Sequence, residues 1–340
     1  MKNLSEQERY KIETYLNLGY SPYKISKIMN RHHTTIANEI KRGTVEVLDY
    51  QLRAKQVYFA DTGQRVHNER KHNKGTALAI GNNIALANEL EHLIIDFRIS
   101  PYSALELCKS SSSFCVNICL STLYNYIHKN NVFMNLCDKH LPRFKRTRKK
   151  KEKRTVALNN KNGRSIEMRS NSINNREIYG HWEIDSVVGK QGTKTSLITL
   201  VERVTNELLI FKVHSKSLAC TCSVLDYLEY KYKDIFYQKF KSITADNGVE
   251  FINQDILECS VFNKNIKRTT MYYAHPYSSW ERGTNENTNR MIRRYIPKSI
   301  DIDMFSEEYI QLVQDIINNL PRRKYNGLSS VQMVQALGIP

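Results

Sequence analysis

Three acidic residues occupy settings that suit chemistry. Asp185 ends the run His181-Trp182-Glu183-Ile184-Asp185, which has strand character, and Asp246 opens Asp246-Asn247-Gly248 just after the short apolar stretch Ser242-Ile243-Thr244. Glu286 starts a segment otherwise rich in arginine and amides. Three carboxylates that face one another repel and shift their pKa values unless a cation lies between them. Hard oxygen donors with open positions suit Mg2+ or Mn2+. Two such ions activate a water or a 3′-hydroxyl and stabilise the leaving oxygen of an in-line phosphoryl displacement. The expectation is a two-metal site in which Asp185, Asp246 and Glu286 are at once ligands and catalytic groups. Arg282, Arg290 and Arg293 fall within helical reach of Glu286 and are expected to hold the scissile phosphate and its neighbours. Trp280 is open between a core role and stacking on a base. Glu183 is expected to face away from Asp185, and His181 is a minor candidate for substrate contact.

Such convergence needs a sheet. From Gly180 onward, β-branched or apolar runs at residues 182–188, 196–201 and 208–213 are separated by turn residues and read as strands. A helix over 225–236, strands at 242–244 and 267–272, and helices over 286–295 and 307–320 follow. Three strands, then a helix, two further strands and two helices describe an α/β domain of ribonuclease-H type.

Ahead of it, residues 1–43 read as three short helices. Ser5 caps the first, Gly19 ends it, and Ser21-Pro22 starts the second with proline at the first helical position. The third, over residues 34–42, carries Thr, Asn, Lys and Arg, the composition of a helix-turn-helix recognition helix. His33, Thr34, Thr35 and Asn38 are expected to face the major groove, with Lys41 and Arg42 on phosphate. Residues 44–83 are basic and polar and read as a linker or arm. A second helical DNA-binding domain is expected over 84–135, with Ser121 as a cap and Thr122, Tyr124 and Asn125 facing DNA. Residues 136–178 read as a flexible basic linker, in which Lys149 and Lys150 lie along phosphates. The catalytic domain then spans 179–340.

Formal net charge is +17, from 51 basic and 34 acidic residues, an excess that points to a polyanionic partner. Seven cysteines without paired CxxC spacing read as free thiols. No stretch approaches the roughly 18 apolar residues of a membrane span, and the N-terminus lacks a signal-peptide core. A cytoplasmic protein bound to double-stranded DNA is expected, with no membrane partner.

The motifs Gly180-His181-Trp182-Glu183-Ile184-Asp185, Thr244-Ala245-Asp246-Asn247-Gly248-Val249-Glu250-Phe251 and Tyr273-Ala274-His275-Pro276-Tyr277-Ser278-Ser279-Trp280-Glu281-Arg282-Gly283-Thr284-Asn285-Glu286-Asn287 resemble the IS-thirty family of bacterial insertion-sequence transposases. The likeness extends over nearly the whole chain. The resemblance implies an integrase-like core in which Asp185, Asp246 and Glu286 are the acidic triad. It also implies an enzyme that nicks the terminal inverted repeats of its element and joins the 3′-hydroxyls to target DNA. Bringing two ends together implies a homo-oligomer on DNA. A DNA-binding regulator built on a silent transposase is the alternative, and a retroviral-type integrase or general nuclease is a third reading.

Overall fold

The structure is a computed structural model, and it describes residues 3–72, 78–80, 83–142, 163–276 and 278–339. Two compact units result, one up to Ala79 and one from Ile80 onward. In the first, α1 (Glu6–Asn17), α2 (Pro22–Ile28) and α3 (His33–Gly43) are the three helices expected from the sequence. Ser5 and Glu8 form a capping box on α1, and the Ser21 hydroxyl accepts from Lys24 N–H with Pro22 at the start of α2. Ile12, Ile25 and Ile36, one from each helix, are fully buried against one another.

Residues 44–72, expected as a linker, instead complete this unit. The hairpin β1 (Thr44–Leu48) and β2 (Ala54–Tyr58) is antiparallel, and α4 (Ala60–His72) follows it. Two residues decide the matter: Tyr58 and Ala60 enter the same apolar cluster as Ile12 and Ile36. A buried ion pair locks the helices, with Arg9 Nε donating to Glu39 Oε1 at 2.8 Å and both side chains almost fully buried. Arg42 also pairs with Glu39.

The second unit begins with α5 (Ile84–Ile95), α6 (Pro101–Ser110) and α7 (Leu120–Lys129). Their cluster, built on Leu86, Leu90, Leu105 and Leu123, also takes in Leu320 and touches Met291, so this helical segment shares one compact unit with the domain that follows. The cap of α7 is Cys119 rather than Ser121; the Ser121 and Thr122 hydroxyls lie 3.1 and 3.2 Å from Cys119 Sγ. Those contacts pull the Cys119 thiol down to about 6.

After the short α8 (Asn171–Asn174), the strands β3 (His181–Val188), β4 (Ser196–Glu202) and β5 (Leu208–Val213) form an antiparallel meander. Next come α9 (Leu218–Tyr232), α10 (Phe236–Lys239), β6 (Ser242–Ala245), α11 (Gln254–Glu258) and β7 (Thr270–Tyr273). Strands β6 and β7 add in parallel beside β3, giving the sheet order β5-β4-β3-β6-β7. This is the mixed sheet of a ribonuclease-H-like, integrase-like core. Trp182, Ile184 and Ile243 pack with α9 on one face, and Val187, Leu197 and Val201 pack with α12 (Gly283–Tyr295) and α13 (Glu307–Asn319) on the other. The chain ends with α14 (Ser330–Ala336). The outer edge of β5 is closed by amides of α13: Gln314 and Asn318 accept from Ile210 and Leu208 N–H, while Gln311 and Asn318 donate to their carbonyls. An open strand edge invites pairing with another chain, and these side chains occupy it.

The helix α9 starts at Leu218, earlier than expected, because Ser217 caps it by accepting from Cys220 N–H. Strand β7 covers Thr270–Tyr273 instead of the expected 267–272, because the backbone at Lys267 and Arg268 pairs with Cys259 and Glu258 and not with β6. Removing Glu39 leaves Arg9 buried and unpaired, so Glu39→Ala is predicted to destabilise the first unit by about 3–5 kcal/mol. A lowered urea midpoint in far-UV circular dichroism checks it.

Candidate active site

The parallel register brings the two aspartates together. His181 pairs with Ser242 at a separation of 61 residues, and the same offset carries Asp185 to Asp246, one residue past the end of β6. Asp185, in the middle of β3, and Asp246, just past the end of β6, therefore emerge side by side. Asp246 is fixed in its turn by Gly248 N–H, which donates to Oδ1 at 2.9 Å, and by Asn247, whose amide donates to Ala274 O. Asp185 Oδ1 accepts from Ser186 N–H at 3.0 Å and Oδ2 from Asn289 Nδ2 at 2.7 Å.

Arg282 stands between the two. Its Nη1 lies 3.4 Å from Asp185 Oδ1 and its Nη2 3.1 Å from Asp246 Oδ2. Burial pushes the Asp185 carboxyl above its ordinary range; Arg282 draws it back and the Asp246 charge adds to the rise. Arg282 was expected on phosphate, and here it is spent on the carboxylates.

Glu286 lies in the first turn of α12 and accepts from Arg290 Nη2 at 3.1 Å, with both side chains about half exposed. Glu286, Asp185, Arg282, Asn285, Asn289, Arg290 and Arg293 line one pocket of about 270 Å3. Arg293 Nη2 donates to Val188 O at the end of β3 at 2.6 Å. The three acids are thus brought to one end of the sheet, but among the described residues no three His, Cys, Asp or Glu side chains stand close enough to share one ion.

Two sequence expectations fail here. Glu183 does not turn away from Asp185: residues two apart on a strand share a face. Fully buried, it pairs with Arg203 and accepts from Asn285 N–H at 3.1 Å, anchoring the first turn of α12 beside Glu286. His181 is not a substrate contact. It is buried with Nδ1 2.7 Å from Ser242 Oγ, and burial pushes its imidazole down to about 4.

On α3, Thr34, Asn38 and Lys41 are exposed with His33, and Thr35 is half-buried at the rim. Arg42 points inward to Glu39 and is not a free phosphate ligand. On α7, Asn125 is exposed, while Tyr124 and Thr122 are half-buried, Tyr124 stacking on His128. Lys149, Lys150 and the side chain of Trp280 lie outside the described residues.

Comparison with known proteins now bears on this arrangement. A helix-turn-helix domain family matches residues 1–43. A probable transposase for insertion-like sequence element IS1161 from Streptococcus salivarius is 33% identical over 98% of this chain and 94% of its own length. The InsI transposase of insertion sequence element IS30A from Escherichia coli is 31% identical over 94% of this chain and 80% of its own. The chain belongs to the IS-thirty family of insertion-sequence transposases. A transposase of element IS4351 from Bacteroides fragilis, 27% identical over 96% of this chain, is a further relative.

In this transposase a cavity of about 1050 Å3 lies between α9 and α13 against β5 and holds none of the three acids. The candidate site is marked by its carboxylates and arginines and not by cavity volume. The sequence reading missed Asn289 and Asn285, although both sit at helical spacing from Glu286 and Arg282. It also missed the hold on the far end of α12. There Arg98 Nη1 donates to Arg294 O, Arg294 Nη1 donates back to Arg98 O at 3.1 Å, and Tyr295 donates to Phe97 O at 2.8 Å.

The raised Asp185 pKa gives a pH prediction. The folded state keeps a proton that the unfolded state releases above about 3.8, so stability falls as pH rises through the folded value. With chelator present, Asp185→Asn is predicted to melt higher than the parent protein at pH 7, and the gain to vanish below pH 3.8. Scanning calorimetry across that range checks the sign.

Proposed function

We propose that this transposase binds the terminal inverted repeats of its element, cleaves the ends, and joins the 3′-hydroxyls to target DNA. Asp185, Asp246 and Glu286 would hold two divalent ions, Mg2+ or Mn2+. The observation that carries this reading is the strand register, which sets Asp185 beside Asp246 under a helix whose first turn carries Glu286. The donor set fits hard cations: carboxylate oxygens converge, and a positive group, the Arg282 guanidinium, already lies between two of them. When bound, the ions lower the pKa of the attacking hydroxyl or water and stabilise the leaving oxygen.

The chain's own residues prepare that site. Asn289 holds Asp185, and Glu183 fixes the turn that carries Glu286. Arg282, released from the aspartates, has the planar donor fork that binds phosphate in pairs of hydrogen bonds. Arg290 and Arg293 extend the same basic face along the backbone of the bound strand. His33, Thr34, Thr35 and Asn38 read bases of the element end in the major groove, with Lys41 on phosphate. Two ends must meet before joining, so a homo-oligomer assembles on DNA.

The decisive assay is strand transfer by purified protein on labelled element ends with Mg2+ or Mn2+. Parent protein joins ends to target, and Asp246→Asn and Glu286→Gln reduce joining to background while still binding ends. Tight binding without cleavage under either metal would favour the silent regulator instead. Thr35→Ala is predicted to weaken cognate binding by about 1–3 kcal/mol while leaving random duplex nearly unchanged. Equal loss on both duplexes, measured by fluorescence anisotropy, would remove α3 from the base-reading role.

A further inference from the structure

Beside the two aspartates lies a carboxylate with no role so far. Glu250 is 1% exposed. Its Oε1 accepts from Ser186 Oγ at 2.7 Å and lies 3.1 Å from Lys216 Nζ. Its Oε2 is buried and has no hydrogen-bond partner. A buried carboxylate oxygen without a partner is strongly unfavourable unless positive charge lies near it.

Gly248 shows where that oxygen is aimed. A Cβ at this position would stand 2.7 Å from Glu250 Oε2 and 2.8 Å from Asp246 Oδ1. Both carboxylates therefore crowd the same side of the Asp246 turn, and only a residue without a side chain leaves room for them. The other oxygen is tied to Ser186, whose own N–H donates to Asp185. Glu250 thus links the strand that carries Asp185 to the turn that carries Asp246. Asp185, Asp246 and Glu250 bring three negative groups together, and Arg282 and Lys216 are the cations paired with them, while Glu250 Oε2 has no hydrogen-bond partner.

We propose that Glu250 is a positioning residue of the cation site: its charge and its bond to Ser186 set how tightly Asp185 and Asp246 hold a divalent ion, and Lys216 opposes that pull. The inference rests on the Asp185–Asp246 site proposed above. In this scheme Glu250 acts through its charge and its bond to Ser186 and not as a ligand.

The test is Mn2+ binding to the full chain by isothermal titration calorimetry, without DNA and without turnover. Glu250→Gln, which keeps an oxygen for Ser186 but removes the charge, is expected to weaken Mn2+ binding by about 10–100-fold. Lys216→Met, on a half-exposed side chain that the fold can spare, is expected to tighten it several-fold. A purely structural Glu250 would give no variant that binds metal more tightly. Parent-like affinity in Glu250→Gln overturns the proposal, as does unchanged or weaker binding in Lys216→Met; the second variant decides the matter should the first not fold. Asp246→Asn separates the two levels of the argument. If it loses Mn2+ while Glu250→Gln does not, only the role of Glu250 falls; if it binds Mn2+ like the parent, the site itself falls.

Discussion

Like charges placed side by side must be compensated, and the parallel pairing of β3 with β6 forces that condition on Asp185 and Asp246. Much of the core can be understood as support for this one electrostatic demand. Arg282 meets it from the turn ahead of α12, Asn289 steadies Asp185 from the next turns of the same helix, and Gly248 keeps the Asp246 loop narrow. The helix α12 is in turn gripped at both ends. Glu183 takes the Asn285 N–H at its start, and the loop before α6 takes Arg294 and Tyr295 at its end. A helix held at both termini presents its polar face at a fixed height over the sheet, which is what a shared site built from two strands and a helix requires.

That grip also ties the helices α5–α7 to the catalytic half. Leu320 closes their apolar cluster, and Ser103 donates to Pro321 O at 3.0 Å. The helix α7 is therefore mechanically continuous with the helix that carries Glu286. The first unit is organised differently: its four helices and hairpin surround the buried Arg9–Glu39 pair, which consumes Arg42 and leaves the outer face of α3 to polar residues.

The sequence made the strand-and-helix order of the core legible because each strand was a contiguous β-branched run bounded by turn residues, and the spacing of the acids matched that order. It made α1 to α3 legible through Ser5, Ser21 and Pro22, whose capping roles are local. What it hid was everything set by distant partners. Residues 44–72 look like a linker because only Tyr58 and Ala60 of that stretch reach the core, too few to give a period. Arg282 looks like a free phosphate ligand because its acidic partners lie on other elements; the partner of Arg42 is local, Glu39 one turn back on the same helix, and was legible. Glu183 was misplaced for a different reason: the alternation of a strand, applied correctly, puts it on the face of Asp185.

In the proposed mechanism a divalent ion takes the place between Asp185 and Asp246 that Arg282 now fills. Diffraction from Mn2+-soaked crystals of the full chain bound to an element end, recorded for manganese anomalous scattering, addresses this directly. An anomalous peak between the two aspartates, with Arg282 turned out onto a DNA phosphate, is the expected result. No peak there, with Arg282 still bridging both carboxylates, would contradict that mechanism.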